Sequence, residues 1–197
     1  MTGSQSVVFR NEKFMATSLA TIGPRARLAV YAPLLRAAAD AEAIDPYLLA
    51  ALAIHESGGN PYAVRVERSY WVRYREGIIR ALLGNLYAPD DRWLQYPDLV
   101  SASFGLCQIM YPTAVEAGVR IAYPTELCDP QINLRLGARL LARMLRHAAG
   151  DVTTALLSYN GGGDPDYAKR VLSWRRALLE DPEFPRLEYV APPPPAA

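Results

Sequence analysis

Among the residues able to do chemistry, Glu56 stands in the most informative context, Ala53-Ile54-His55-Glu56-Ser57-Gly58-Gly59-Asn60. Ala53, Leu52 and Leu49 precede it by three, four and seven residues, so on a helix its carboxyl shares a side with apolar groups. Ser57-Gly58-Gly59 ends that helix, and the field at a helix C-terminus disfavours negative charge. Partial burial and an unfavourable dipole both raise a carboxyl pKa, which is the condition for donating a proton near neutral pH. From position alone an exposed glutamate at a helix end is the plainer reading, and the rest of the sequence has to decide between the two.

Other chemistries find less support. His55 adjoins Glu56, but successive helical residues point about a hundred degrees apart, so they do not form a ready pair. A zinc helix would need a second histidine where Gly59 stands, and His147 is far along the chain. Cys107 and Cys128 lack zinc-finger spacing. Neither a metal nor a cofactor is therefore expected, and His55 reads as a structural histidine. Cys107 lies in the apolar run Phe104-Gly105-Leu106-Cys107-Gln108-Ile109-Met110, where a buried free thiol is the bland expectation and a bridge to Cys128 the alternative. Ser57 is not in a Gly-x-Ser-x-Gly elbow, and no glycine-rich phosphate loop occurs. A carboxylate-centred site is the most economical enzyme hypothesis.

The elements that must carry it are helical. Arg25 to Ala43 reads as one helix, with Leu28, Tyr31, Leu35 and Ala38 recurring on one side. Asp45-Pro46 opens a second, because Asp caps free amides and Pro tolerates the first helical position. Its body, Tyr47 to Ile54, is apolar on almost every side and belongs in the middle of a domain. The Asp-Pro signal recurs at Asp129-Pro130, before a helix to about Ala148, and at Asp164-Pro165, before one to about Leu179. On the first of these, Arg135, Arg139 and Arg143 stack at four-residue spacing, most simply as a solvated face but able to meet an anionic polymer. Asp151 starts a short helix through Leu157, closed by Ser158-Tyr159-Asn160-Gly161-Gly162-Gly163. Ser69 to Leu83 reads as a further helix, a proline-containing loop runs from Ala88 to Asp98, and strand signals are confined to short pieces such as Gly105 to Met110.

With 197 residues, 51% of them hydrophobic and 21% charged, the chain suits one soluble domain. Residues 1–24 read as a flexible arm, 25–185 as the domain and 186–197 as a proline-rich tail. The 21 Lys and Arg against 20 Asp and Glu are not the composition of a nucleic-acid-binding protein. No stretch is long and apolar enough to span a bilayer, and the N-terminal region has no continuous apolar core of a secretory signal.

Several runs, in order from about residue 45 to 175, resemble the soluble Slt-type lytic transglycosylase family, whose catalytic domain has a goose-lysozyme-like fold. Glu56-Ser57-Gly58-Gly59-Asn60-Pro61 is similar to the family's Glu-Ser block, and Ser103-Phe104-Gly105-Leu106-Cys107-Gln108-Ile109-Met110 to its Gly-Leu-Met-Gln block. Asp129 to Gly137 resembles the segment in which an Asn and a Gly recur, Ala155 to Gly162 the Ala-Tyr-Asn-Gly block, and Tyr167 with Val171 the closing Tyr-x-x-x-Val. The resemblance implies a mainly α, lysozyme-like fold acting on peptidoglycan glycan strands. Glu56 would protonate the oxygen between N-acetylmuramic acid and N-acetylglucosamine. As a carboxylate it would then take the proton of the muramic C6 hydroxyl as that oxygen attacks C1, leaving a 1,6-anhydromuramyl end. One carboxyl suffices because the substrate carries its own nucleophile, unlike the usual two-carboxylate glycosidase. Ser57 would orient the muramyl unit, and Gln108 with the Gly105-Leu106 backbone would line the cleft. Tyr159 and Asn160 would support Glu56 and the sugar, and Tyr167 would hold the final helix against that wall.

Two departures qualify this expectation. Cys107 stands where the family commonly has Met, which predicts altered saccharide contacts near the cleft. The interval from Glu56 to Gly105 is long and includes an insertion over 61–103 carrying Tyr62, Tyr70, Trp71, Tyr74, Trp93 and Tyr96. These aromatics could stack on sugars or close the groove, or form a small hydrophobic subcore. Similar long intervals occur in phage and prophage proteins, so phage structural or lysis partners, and delivery to the cell wall without a signal peptide, are reasonable expectations. A muramidase would instead need a second carboxylate, for which Glu67, Asp90, Asp91 and Asp98 are the candidates. A murein-binding or virion-structural module that has lost activity is the non-enzymatic alternative.

Overall fold

The computed structural model describes residues 22–83 and 91–188. The arm expected at 1–24 thus lies almost wholly outside the described residues, as do Ala88, Pro89, Asp90 and the tail from 189 onward. The fold is mainly helical, as expected. Its axis is α3 (Pro46–Ser57), in which every residue from Pro46 to Ile54 is buried. A helix apolar all round needs neighbours all round, and α1 (Pro24–Ala29), α2 (Ala32–Glu42), α7 (Pro130–His147) and α9 (Tyr167–Glu180) supply them. Leu49 and Leu52 are completely enclosed, each contributing roughly 1.5–3 kcal/mol by burial.

The start of α3 is pinned as Asp45-Pro46 predicts. Asp45 Oδ1 accepts from the Tyr47 N–H at 2.8 Å, and its other oxygen from Arg175 Nε at 2.5 Å, which ties α3 to α9. Asp129 and Asp151 cap α7 and α8 (Val152–Tyr159) in the same way, through the N–H groups of Ile132 and Thr154.

Several sequence expectations are corrected. The helix expected over Arg25 to Ala43 is two helices, broken at Val30-Tyr31, because the ring of Pro33 clashes with the carbonyl four residues back and removes an N–H from the ladder. Asp164-Pro165 does not start α9. Asp164 caps a turn, accepting from the Asp166 N–H at 3.0 Å, and the helix opens at Tyr167. α8 continues past Leu157 to Tyr159. Phe184 and Leu187 are buried, and the Leu187 N–H donates to the Tyr47 hydroxyl at 3.0 Å, so the chain stays docked beyond 185.

The segment after Glu56 holds more order than its sequence suggests. A strand, β1 (Val64–Val66), pairs antiparallel with β2 (Ala102–Phe104), which pairs with β3 (Ile109–Met110). Gly105 to Gln108, expected as strand, is the turn joining β2 to β3. Between β1 and β2 lie α4 (Arg68–Leu82), a short 3-10 turn (Asp91–Gln95) and α5 (Pro97–Val100), and α4 packs on α5 and on α6 (Tyr111–Glu116). No helix among the described residues is long and apolar enough to cross a membrane.

Candidate active site

Glu56 sits in the last turn of α3. Gly58 closes the helix in the left-handed region, φ 62°, donating its N–H to Ile54 O at 2.8 Å. Gly59 follows at φ 73°, and a Cβ there would lie 2.8 Å from the Pro24 carbonyl oxygen, so α1 closes directly on the end of α3. The Glu56 carboxylate accepts a hydrogen bond from the hydroxyl of Tyr167, the first residue of α9. The Tyr167 ring is buried and meets His55 edge-on, with centroids 4.7 Å apart.

This setting shapes the titration of all three residues. Burial holds the Glu56 carboxyl above its ordinary pKa, while the Tyr167 hydrogen bond and the charge of Arg65 pull the other way. Burial and the adjacent Glu56 push the Tyr167 phenol upward, so it stays a donor. Burial, then the charge of Arg170, lowers the His55 pKa and so favours the neutral ring. The glutamate at the helix end is therefore partly enclosed, hydrogen-bonded and biased toward its protonated form, and the exposed reading of its position does not hold.

The Gly105–Gln108 turn forms a scaffold behind the site. Asn133, wholly buried on α7, donates from Nδ2 to Phe104 O at 2.9 Å and Leu127 O at 2.7 Å, and accepts on Oδ1 from the Cys107 N–H at 2.7 Å. Gly105 must be glycine: at φ 74°, a Cβ would meet Asn133 Nδ2 at 2.5 Å. Gly137, one turn along α7, leaves the space that Cys107 fills, since a Cβ there would lie 2.5 Å from Sγ. Gln108 adopts φ 50°, a left-handed conformation uncommon for a residue with a Cβ. Its amide offsets that strain by donating to Ala63 O at 3.2 Å and Gly105 O at 3.0 Å and accepting from Ser103 Oγ at 2.8 Å. Tyr159, at the end of α8, donates its hydroxyl to Cys107 O at 2.9 Å.

In front of this scaffold opens a cleft of about 660 Å³. Of the residues singled out from sequence, Glu56, Gln108, Tyr159 and Asn160 line it. Asn160 Nδ2 is buried with no hydrogen-bond partner among the described residues. Ser57, Gly105, Leu106, Cys107 and Tyr167 do not face the cleft. The Ser57 hydroxyl donates back to Ala53 O at 2.9 Å within its own helix. Leu106 is fully enclosed, and so is Cys107, whose thiol burial pushes to higher pKa. The expectation that Cys107 alters saccharide contacts is thus corrected: it packs against Gly137. Cys107 and Cys128 are both free thiols, so the alternative of a bridge is not realised. Tyr159 braces the turn rather than hydrogen-bonding Glu56.

Of the rest of the lining, Glu67, Tyr70, Tyr74 and Arg143 are residues the sequence offers as a second carboxylate, as groove or subcore aromatics and as part of an arginine row; the others carry no such signal. The lining includes β1 and its end (Arg65, Glu67), α4 (Ser69, Tyr70, Arg73, Tyr74) and α7 (Leu140, Arg143, Met144). The rings of Tyr70 and Tyr74 lie tilted against each other with centroids 4.6 Å apart, and Tyr70 also packs against the core, in the sense of the subcore reading. The signal for Asn133 was present: a polar residue amid Leu134, Leu136 and Ala138 must find partners if buried. Of the candidate second carboxylates, Glu67 lines the cleft but pairs with Arg65 at 2.7 Å, and Asp98 pairs with Arg68 at 3.5 Å outside it. Asp90 and the side chain of Asp91 lie outside the described residues. Among the described residues no group of His, Cys, Asp and Glu could hold a metal ion.

A protein-family model described as the transglycosylase SLT domain matches residues 33–173. Among curated proteins and among solved structures, nothing matches the chain.

Proposed function

The chain belongs to the SLT transglycosylase family, whose activity is lytic cleavage of peptidoglycan, and from that premise we propose that Glu56 performs both proton transfers of the reaction. Protonated Glu56 delivers its proton to the bridging oxygen as the bond from muramic C1 breaks. The resulting carboxylate then accepts the C6 hydroxyl proton while the C6 oxygen bonds to C1, giving a 1,6-anhydromuramyl end and restoring the acid. The observation that carries this reading is the setting of Glu56: enclosure that favours the acid, together with a Tyr167 hydroxyl aimed at the same carboxyl to stabilise the base. Two opposed influences on one group suit a residue that must alternate between both forms.

A hydrolytic muramidase is the second reading, favoured by the presence of Glu67 in the same cleft. Its ion pair with Arg65 engages it elsewhere, which supports the single-carboxylate reaction. Mass spectrometry of digested murein decides: anhydromuramyl products are expected, and reducing ends in their place would move the assignment to a muramidase. Glu56→Gln should lower turnover by about a thousandfold or more, as the loss of an essential acid–base group does. The site of action follows from the substrate, the bacterial cell wall; a phage or prophage setting belongs to the same proposal, supported by the long interval between Glu56 and Gly105.

A further inference from the structure

The charges in the cleft do not cancel. Besides Glu56, its lining holds the carboxylates Glu67 and Asp164 and the guanidiniums Arg65, Arg73 and Arg143. Glu67 is neutralised by Arg65 and Asp164 by Arg170. Arg73 and Arg143 make no ion pair among the described residues. The cleft therefore presents two free cations beside a carboxyl biased toward its neutral form. The arginine row on α7 sharpens the point: Arg139 is held by Glu42 at 3.4 Å and by Ala117 O at 3.0 Å, whereas Arg143, a turn further, opens into the cleft.

Sugars offer a guanidinium only neutral hydroxyls and amides. Murein also bears, on its muramyl lactyl groups, peptides with free carboxylates, whose planar geometry a guanidinium fork matches. We propose that Arg73 and Arg143 form an anion subsite for the carboxylates of the murein peptide stem, so that the groove selects strands whose stems are charged. This rests on the reading of the cleft as the murein-binding groove. It assigns to α4 a specificity role, with Arg73 flanked on its helix by Tyr70 and Tyr74, which supply apolar surface beside the charge.

The test separates binding from catalysis. Soluble murein strands are prepared unmodified and with their stem carboxyls converted to carboxamides, which removes charge at almost constant shape. Dissociation constants for both are measured on the Glu56→Gln protein by calorimetry, so that the strands stay whole. The unmodified strands should bind about tenfold tighter, a difference that shrinks as salt is raised. Adding Arg73→Gln or Arg143→Gln should reduce the ratio to about threefold each, and both together should bring it to about one. Arg176→Gln, exposed on α9 and paired with Glu180, should leave the ratio unchanged. Because each ratio is taken on one protein, a general loss of fold cannot imitate the result. Equal binding of both strands by the parent protein, or a preference that survives the double change, overturns the inference. If the Glu56→Gln protein still cuts murein, the catalytic assignment falls instead, and the ratio of binding to the two strands judges the arginines independently.

Discussion

Tyr167→Phe tests the acid–base logic of the site most directly. The ring and its edge-on contact with His55 at 4.7 Å are retained, and only the donor to Glu56 is lost. A hydrogen bond to a charged group contributes about 1.5–3 kcal/mol. Glu56 is only partly enclosed, so water recovers some of this and the lower end applies. Since about 1.36 kcal/mol corresponds to tenfold in proton affinity, the carboxyl should hold its proton roughly tenfold more tightly. The sign follows from the two influences present: burial favours the acid, Tyr167 favours the carboxylate, and removing Tyr167's contribution leaves burial opposed by Arg65 alone. Free enzyme must be protonated at Glu56 to act, so kcat/KM falls as pH rises through its titration. The alkaline limb of the profile should therefore move about one pH unit upward in the variant, while the plateau falls about tenfold because the carboxylate loses its orientation. The assay is release of soluble fragments from murein between about pH 4 and 9. The edge-on contact of His55 with the ring is kept in the variant, so a displaced limb reports the lost hydrogen bond to Glu56. A limb that stays in place, or moves to lower pH, refutes the assignment of Glu56 as the acid held by Tyr167.

Two further changes probe the scaffold and the energetic cost of the site. Glu56→Gln should be more stable than the parent at pH 8 but not at pH 3.5, by about 2–4 °C in Tm for each kcal/mol recovered. The folded pKa of Glu56 is raised above its unfolded value, so its contribution to stability is fully present below the unfolded carboxyl pKa and is lost as pH rises through the folded one. A thermal melt at both pH values reads this, and a Tm gap of equal size at both would contradict it. Gly137→Ala should destabilise the protein by about 1–3 kcal/mol, against the usual gain of about 1 kcal/mol for that change inside a helix. The new Cβ would lie 2.5 Å from Cys107 Sγ, and Cys107→Ala in the same chain should restore part of the loss in denaturant unfolding. Stabilisation by Gly137→Ala alone would show that the thiol is not seated there.

Much of the frame was legible in the sequence because it depends on local signals. Asp45, Asp129 and Asp151 announce helix starts through a side-chain acceptor and free amides a few residues away, and the all-apolar run from Tyr47 to Ile54 can exist only at the centre. Asp164-Pro165 carried the same signal and misled, since an aspartate that caps a turn has the same neighbours as one that caps a helix. The surroundings of Glu56 were less legible. Its enclosure depends on Tyr167, 111 residues away along the chain, and neither periodicity nor propensity speaks to such a distance. The strand β1 was missed because its three residues are all exposed and show no alternation. The roles expected of Gly105, Leu106 and Cys107 placed them at the cleft. The backbone of Gly105 is instead taken up by Ala63 and Gln108 and that of Cys107 by Asn133 and Tyr159, while Leu106 is enclosed, a pattern that only the assembled turn reveals.

That division has a consequence for how the protein works. Glu56 is aimed by Tyr167 from α9, while the Gly105–Gln108 turn is fixed by Asn133 from α7 and Tyr159 from α8; α7 and α9 pack on α3, and α8 packs on α7 and α9. The other wall of the cleft comes from α4, which packs on α5 and α6. Changes in Tyr70, Arg73 or Tyr74 can thus alter which strands enter without disturbing the carboxyl that cuts them. On the proposed roles, substitutions on α4 should act mainly on KM and on discrimination between substrates, whereas substitutions at Asn133, Gly137 or Tyr159 should lower kcat through the geometry of the reacting centre. Catalysis and selection are separable on those roles: Glu56 on the central helix carries the chemistry, and α4 in the segment that follows selects the strand.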